Sequence, residues 1–293
     1  MFNDVLAACG YAHTTANEHW APGDAELFRL RQLDGLQGVP GLVAASLLAK
    51  KIVAGVTHAG LEARLGRYGN LGSTLQEVSA SAALYCEAAD HLGLDATVFV
   101  TDGSVAYQPF IGRGEALQAL SEVLYGPSDN AANGWLARHV ELCHTFATQV
   151  SNSLNLPTDR RTRTLAEVFE DNLRAQGSDP VAFRARVNEV ASAPRSLLAA
   201  PCDGHVHYDL GQIRSVLVAA QAAHHAQFAG TETSAVPDPA GVILLVQPGL
   251  AVREGDPVLA ARGLPAQSRL AETFSIRADP SGSDNTLMRT VRS

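Results

Sequence analysis

Apolar residues recur at helical spacing in the first fifty positions of the chain. The stretch 25–32 follows Asp24, a residue type that often caps a helix start, and its spacing predicts one helix. Pro40, a residue type favoured in the first turn of helices, opens a second predicted helix over 41–51. The chain is therefore expected to begin with a small group of helices.

Helical and extended patterns alternate in the middle of the chain. Periodic stretches at 73–92 and 115–124 predict helices, and the β-branched run 96–101 between them predicts a short buried strand. Glycines recur between residues 55 and 72, which is typical of short extended pieces joined by loops. This alternation predicts an α/β fold, an open sheet with helices on its faces.

The sequence changes in character after Pro194. A helix is predicted over 165–175, whereas beyond Pro194 short extended runs are separated by turns rich in glycine, aspartate and proline. The predicted strands cover 205–210, 241–247 and 257–262, with one helix over 212–227. We place a domain boundary near residue 195 and expect the polar tail from Ser275 to be loosely held.

The composition of the chain excludes some classes of protein and argues against others. The chain has 293 residues, of which 46% are apolar and 18% charged, and this balance excludes a disordered chain. Its 30 acidic and 22 basic residues give a net charge of −8, which argues against nucleic-acid and membrane partners. No apolar run is long enough to cross a bilayer, and the first residues lack the pattern of a secretion signal. We expect a soluble, cytoplasmic protein.

Cysteines and histidines do not form a recognisable metal-binding pattern. The four cysteines are scattered without a C-x-x-C pair, which indicates reduced thiols rather than a disulfide framework. His139 and Cys143 are four residues apart, and His205 and His207 alternate on a predicted strand. Zinc needs four convergent ligands at known spacing, so we predict no metal site and expect surface or core histidines.

Arg31, Ser46 and Lys50 form the first candidate binding site. Ser46 and Lys50 are four residues apart on one predicted helix, so both project from one face, and the helix carrying Arg31 is joined to it by a short link. An arginine fork, an ammonium and a hydroxyl could together satisfy a planar ring with two carbonyls flanking an N–H, which describes uracil or thymine. On spacing alone, a solvated helix face is the more common explanation.

The residues around this trio resemble a known family. The segments 21–24 (A-P-G-D), 27–31 (L-F-R-L-R) and 39–51 (V-P-G-L-V-A-A-S-L-L-A-K-K) are similar to A-P-A-D, L-Y-A-L-R-D and S-I-P-L-I-T-A-S-I-x-x-K-K of the pyrimidine-nucleoside phosphorylase family, which includes thymidine phosphorylase. In that family the matching Arg, Ser and first Lys hold the pyrimidine base. The resemblance thus implies that Arg31, Ser46 and Lys50 bind the base.

A weaker resemblance continues towards the C-terminus. Thr101-Asp102 resembles the family's T-D-M, 175–179 (A-Q-G-S-D) resembles A-Q-G-G-D, and 255–258 (G-D-P-V) resembles its C-terminal β-rich domain. The glutamates of the family's A-L-E-V-x-E-A helix, linked in some members to a bound ion, align with Ala116 and Ala119. The resemblance therefore implies the family's fold without that ion site.

The family's phosphate-binding segments are not matched. Its K-H-S-T-G-G-V-G-D loop and its S-G-R-G segment lie upstream of the base-binding Arg, and this chain begins after both. Phosphate capture needs a nest of backbone N–H groups, so we expect a partner chain to supply it. The 67–74 stretch (R-Y-G-N-L-G-S-T) could substitute, although a plain loop with Ser73 as N-cap is more common, so Arg67 and Ser73 are only secondary cleft candidates.

Together these observations predict part of a thymidine-phosphorylase-like fold. We expect helices of the small α domain over 1–54, the second part of an α/β domain with a mixed sheet over 55–195, and a C-terminal α+β, β-rich domain over 196–293. The predicted function is the base-binding subunit of a split pyrimidine nucleoside phosphorylase, in a dimer or heterotetramer. No catalytic residue is assigned, and phosphate is the expected co-substrate with no other cofactor.

Two alternatives remain open at this point. The chain could be a non-catalytic pyrimidine-binding or regulatory homologue, which would bind free uracil without turnover. It could also be a pyrimidine glycosyl-transfer enzyme with altered chemistry, which would release the base independently of phosphate.

Overall fold

The computed structural model describes residues 2–13, 20–34, 36, 39–67, 69–126, 133–156, 163–228, 238–264, 269–280 and 287–292. This part of the chain is a mixture of helices and strands, so the predicted α/β class is confirmed.

Most helices form where apolar periodicity predicts them, and the predicted helix over 165–175 has the observed bounds. The sequence analysis predicts no helix at α8, although its start carries ordinary signals: Pro180 is its first residue and the Asp179 carboxylate accepts the N–H of Val181. The helices of the described chain are α1 (Phe2–Cys9), α2 (Pro22–Asp34), α3 (Pro40–Val53), α4 (Leu75–His91), α5 (Arg113–Tyr125), α6 (Asn133–Ser153), α7 (Leu165–Ala175), α8 (Pro180–Ser192) and α9 (Leu210–Phe228).

The strands assemble into three sheets in the described chain. Their orders are β1-β2-β10, β3-β6-β8-β4 and β7-β5-β9. The strands are β1 (His58–Leu65), β2 (Asp95–Asp102), β3 (Phe110–Ile111), β4 (Arg195–Ala199), β5 (Gly204–Tyr208), β6 (Gly241–Leu244), β7 (Ala251–Val252), β8 (Pro257–Arg262), β9 (Phe274–Arg277) and β10 (Leu287–Arg292).

The first sheet contains the buried strand that the sequence predicts. β1 and β2 are parallel, and the β-branched interior of β2 is fully buried between neighbours, as its composition indicates. Helices α3 and α4 cover this sheet, and their core includes the ring of Tyr85 packed with Val98 and Val100. A second core lies around α9 and the other two sheets, where Val206, Ile213 and Leu259 are buried.

The prediction of a loosely held tail from Ser275 is wrong for the residues that the structure describes. Ser275 lies within β9, which pairs antiparallel with β5. Further on, β10 pairs antiparallel with β2, and Val291 packs against the core of the first sheet. The polar composition hid this strand because Arg289 and Arg292, on either side of Val291, are both exposed.

Strand pairing crosses the predicted boundary near residue 195. β3, from the middle of the chain, pairs with β6, and β10, from the end, pairs with β2. These pairings do not test the predicted domain bounds, 1–54, 55–195 and 196–293, which remain predictions.

A buried ion-pair network joins these distant parts of the chain. Glu115 on α5 is fully buried, and its carboxylate accepts two hydrogen bonds from Arg262 on β8, at 2.8 and 2.9 Å, and one from Arg195 at 3.3 Å. These bonds raise the pKa of the Arg262 guanidinium. Arg262 also donates to Asp238 at 2.8 Å. The carboxylate fills the space beside Gly241, where a Cβ would lie 1.6 Å from Glu115 Oε2.

We expect Glu115→Gln to destabilise the fold by about 3–5 kcal/mol, because it removes the buried carboxylate charge that Arg262 and Arg195 share and leaves Arg262 with Asp238 alone. The free energy of unfolding in urea measures this. Glu122→Gln, further along the same helix, is the matched control and should change it by less than about 0.5 kcal/mol. Equal effects of the two substitutions would contradict this role of the network.

Candidate functional site

Helices α2 and α3 position the predicted base-binding trio. α3 begins at Pro40 and buries Val43, Ala44 and Leu48, which pack in the core together with residues of α4. Ser46 and Lys50 lie on the same helix, one turn apart, and Lys50 bonds both to Ser46 and to Asp24 on α2. Local periodicity thus explains why the pair shares one face.

Lys50 is the centre of a hydrogen-bonded group at this interface. Its ammonium nitrogen lies 2.5 Å from Asp24 Oδ2 on α2 and 3.0 Å from Ser46 Oγ. The Asp24 side chain is 1% exposed, and that of Lys50 is 29% exposed. The ammonium is therefore held by a buried carboxylate, while the Lys50 side chain as a whole is partly exposed.

Arg31 lies at the same helix–helix interface. It is 7% exposed, and its guanidinium donates to the backbone carbonyls of Leu36 and Leu42, both at 3.4 Å. In an α-helix the Leu42 carbonyl is also the acceptor for the N–H of Ser46, so the guanidinium lies within one helical turn of Ser46. The structure thus brings all three predicted residues to one interface.

Asp24 is a site residue that the sequence analysis placed in a different role. It was considered as the cap of a helix starting at residue 25, but α2 starts at Pro22 and the Asp24 carboxylate bonds to Lys50. Its second oxygen, Oδ1, is buried and has no hydrogen-bond partner among the described residues. An acidic residue next to Pro-Gly is typical of a helix start, so local sequence favoured the cap over a contact 26 residues away.

The backbone N–H groups of Ser73 and Thr74, in the loop before α4, are already hydrogen-bonded within the chain. The N-cap is Thr74, one residue later than predicted, and it forms a capping box with Glu77. The Glu77 carboxylate accepts the N–H groups of Ser73 at 2.8 Å and Thr74 at 3.1 Å, and these bonds lower the pKa of Glu77. Those donors are therefore already used, and Ser73 itself is exposed.

Arg67, the other secondary candidate, lines a cleft of about 430 Å³. This Arg67 cleft lies between the ends of β1 and β2 and the sheet that contains β5 and β9. Ser73 is not among its lining residues, which are Arg67, Gly103, Ser104, His207, Tyr208, Asp209, Leu210, Glu272, Phe274, Ser275 and Arg277. The sequence analysis missed all of these except Arg67, because they meet only through packing between distant segments.

His139 and Cys143 form a contact that does not activate the thiol. His139 Nε2 lies 3.9 Å from Cys143 Sγ. Burial lowers the pKa of His139 and raises the pKa of Cys143, which favours a neutral imidazole and a neutral thiol. Within the described ranges, no three His, Cys, Asp or Glu side chains converge as a metal site would require.

Comparisons with known proteins identify no relative. No protein-family profile matches the chain, and no curated protein matches it either. The resemblance to the pyrimidine-nucleoside phosphorylases therefore rests on the motifs quoted above. In the portion of the chain that is described, no helix combines the length and apolar character needed to span a membrane.

We expect Asp24→Asn to weaken the α2–α3 interface by about 1.5–3 kcal/mol, because it removes a charge-assisted bond from a largely buried pair. Urea unfolding measures the loss. Glu26→Gln is the control on the same helix, since Glu26 pairs only with exposed Arg29 and should leave the urea midpoint unchanged. An Asp24→Asn protein as stable as the wild type would contradict the importance of the Asp24–Lys50 pair.

Proposed function

We propose that this chain is the base-binding subunit of a split pyrimidine nucleoside phosphorylase. In this proposal a pyrimidine nucleoside is cleaved by phosphate to the free base and a sugar 1-phosphate, and a partner chain holds the phosphate. The single observation that carries the proposal is the convergence of Arg31, Ser46 and Lys50 from two helices on one interface.

The chemistry of the trio suits a pyrimidine ring. The ring presents two carbonyl oxygens on either side of an N–H, so it needs two donors and one acceptor. In this proposal Lys50 and Arg31 supply the donors, and the acceptor is Ser46 Oγ or Asp24 Oδ1, which has no hydrogen-bond partner among the described residues. Charge-assisted bonds of this kind contribute about 1.5–3 kcal/mol each when water is excluded.

Lys50 is the residue best placed to meet the ligand. An ammonium group has three N–H donors, and Asp24 and Ser46 accept two of them. The third remains for a carbonyl oxygen of the base, and the side chain is accessible to solvent. As the glycosidic bond breaks, negative charge develops on the ring, and a fixed ammonium stabilises that charge more than the neutral ground state. Asp24 acts here as a positioning residue.

Exposed apolar side chains on α2 and α3 support association with another subunit. Phe28, Ile52 and Val53 are about half exposed. Exposed large apolar side chains on neighbouring helices are compatible with a protein interface. We propose that this surface contributes to the dimer or heterotetramer.

Strand β1 offers a second place where a partner could complete the fold. The backbone carbonyls of Thr57 and Leu65 accept hydrogen bonds from residues at or next to the ends of β2. Backbone N–H and C=O groups alternate in direction along a strand, so those of the even-numbered residues between Thr57 and Leu65 point away from β2. Asn70 covers that outer edge at Glu62 and Arg64 with its side-chain amide. We assign the remaining edge, at His58 and Gly60, to the partner.

We place the assembly in the cytoplasm, in keeping with the free thiols of all four cysteines.

We expect Lys50→Met to weaken uracil or thymine binding about tenfold or more, because it removes a charge-assisted donor. Isothermal titration of the purified chain with each free base measures this. Lys51→Met is the matched control, one residue away on the same helix, and should leave binding unchanged. Equal losses in the two variants, or no saturable binding by the wild-type chain and its native assembly, would contradict the proposal.

Activity assays separate the proposed reaction from its alternatives. The complex isolated from the native host should release the base from thymidine or uridine only when phosphate is present. Base binding without any release would favour a regulatory homologue, and release independent of phosphate would favour an altered glycosyl-transfer enzyme. Either result would overturn the phosphorylase proposal.

We expect Ile52→Glu to dissociate the assembly, because it places a charge in the proposed apolar interface. Native mass spectrometry of the gently purified complex measures the change. Val181→Glu is the control, since Val181 is exposed on a different helix. A wild-type chain that is monomeric, or an assembly that tolerates Ile52→Glu, would contradict this interface.

A further inference from the structure

The Arg67 cleft lies where α/β proteins commonly bind ligands. Arg67 lies just after β1, and Gly103 and Ser104 follow β2, so these lining residues come from loops at the carboxyl ends of parallel strands. Such ends form crevices in which ligands bind. At about 430 Å³, the cleft is large enough for a small molecule.

The β5–β9 pair adds polar side chains to the lining. Directly opposed residues of antiparallel strands share a face, and here His207 opposes Ser275. Arg277 is two residues beyond Ser275 on β9, so its side chain projects from the same face. The alternate residues Val206 and Ile276 belong to the apolar core. The polar face of this strand pair therefore meets the cleft, which His207, Ser275 and Arg277 all line.

The charged residues of the lining are of both signs. Arg67 and Arg277 lie there with two carboxylates, Asp209 and Glu272. A site for a simple anion or a simple cation needs an excess of one sign, which this lining lacks. Glu272 Oε1 accepts a hydrogen bond from Arg269 at 2.9 Å, and Arg67 also has a partner within the chain. Arg277 and Asp209 are therefore the two charges to match with a ligand.

Arg277 has donors that the described residues do not use. Its Nε donates to Ser275 Oγ at 3.3 Å. Its two terminal nitrogens form no hydrogen bond or ion pair within the described part of the chain. The paired N–H groups of a guanidinium match the two oxygens of a carboxylate. Arg277 is therefore suited to bind a carboxylate in the cleft.

Asp209 supplies a fixed carboxylate of opposite charge. Its Oδ1 accepts the N–H groups of Gly211 and Gln212, at 2.9 and 3.0 Å, which holds the side chain at the start of α9. Its Oδ2 has no hydrogen-bond partner among the described residues, and no ion pair joins it to Arg277 there. A carboxylate oxygen is an acceptor for an ammonium group. The cleft thus presents one cation and one anion that are not matched by each other.

The remaining lining adds an acceptor and an apolar surface. His207 Nε2 lies 3.1 Å from the carbonyl oxygen of Asp279. A carbonyl oxygen only accepts, so Nε2 carries the hydrogen, and in the neutral imidazole Nδ1 is then an acceptor. Leu210 and Phe274 contribute apolar side chains. A ligand of both charges with an apolar side chain would use each of these features.

We propose that the Arg67 cleft binds a small zwitterion with an apolar side chain, either a free α-amino acid or a dipeptide. Arg277 binds its carboxylate, Asp209 binds its ammonium group, and the apolar lining contacts its side chain. A ligand that carries both charges satisfies both protein groups at once, which an anion or a cation alone does not. These residues differ from those of the base site, so the proposal goes beyond the proposed function and does not depend on it.

Isothermal titration of the purified chain with L-leucine and with glycyl-leucine tests this proposal. We expect saturable binding that Arg277→Gln and Asp209→Asn each weaken about tenfold, the loss of one charge-assisted contact. Asparagine is also a good helix cap, so Asp209→Asn keeps the start of α9. The matched controls are Arg253→Gln and Asp203→Asn, in exposed turns outside the cleft, and both should bind as the wild type does.

Leucine analogues with a single charge separate a lost contact from a folding defect. Isoamylamine lacks the carboxylate of leucine and isocaproate lacks its ammonium group, so each should bind more weakly than leucine. Arg277→Gln should weaken leucine but not isoamylamine, because the amine has no carboxylate for Arg277 to bind. Asp209→Asn should likewise weaken leucine but not isocaproate. A folding defect would weaken every ligand to the same extent.

The two zwitterions identify the source of the charges. Tighter binding of leucine indicates a free amino acid, and tighter binding of glycyl-leucine indicates a dipeptide; either order supports the proposal. Three results would overturn it: no saturable binding of either zwitterion, an analogue of single charge that binds as tightly as leucine, or control variants that weaken binding as much as Arg277→Gln and Asp209→Asn.

Discussion

The burial of Glu115 against Arg262 is the constraint on which the arrangement of the sheets depends. A carboxylate with no access to water must be matched by donors, and here they come from β8 and β4, far along the chain from α5. The space for this carboxylate exists because residue 241 is glycine. The network therefore connects α5, in the middle of the chain, to strands β4 and β8 of the second sheet.

The same physical rule operates on a smaller scale between α2 and α3. Asp24 is buried and is matched by the Lys50 ammonium, which in turn contacts Ser46. The Lys50 side chain is 29% exposed and that of Arg262 is 10% exposed, so the site of Lys50 is the more open of the two. A buried carboxylate that holds a partly exposed cation is a means of keeping a binding group in one position before the ligand arrives.

The base site and the Arg67 cleft form in different ways. The proposed base site uses helices that form from local periodicity, whereas the Arg67 cleft forms where parallel strand ends meet the β5–β9 pair. Local sequence spacing therefore bears on the first and not on the second.

The sequence by itself determined the local elements and the grouping of the trio. The buried run in β2 and the periodicity of α7 and α3 predict those elements because side-chain spacing alone decides which face is apolar. Ser46 and Lys50 share a helix face for the same reason, and a short link brings Arg31 beside them. Only the tertiary structure decided that Asp24 bonds to Lys50, that Arg67 and Arg277 line one cleft, and that the polar final strand β10 pairs with β2. These contacts join segments that are far apart in the chain. They depend on packing and charge pairing, which the local spacing of residues does not predict.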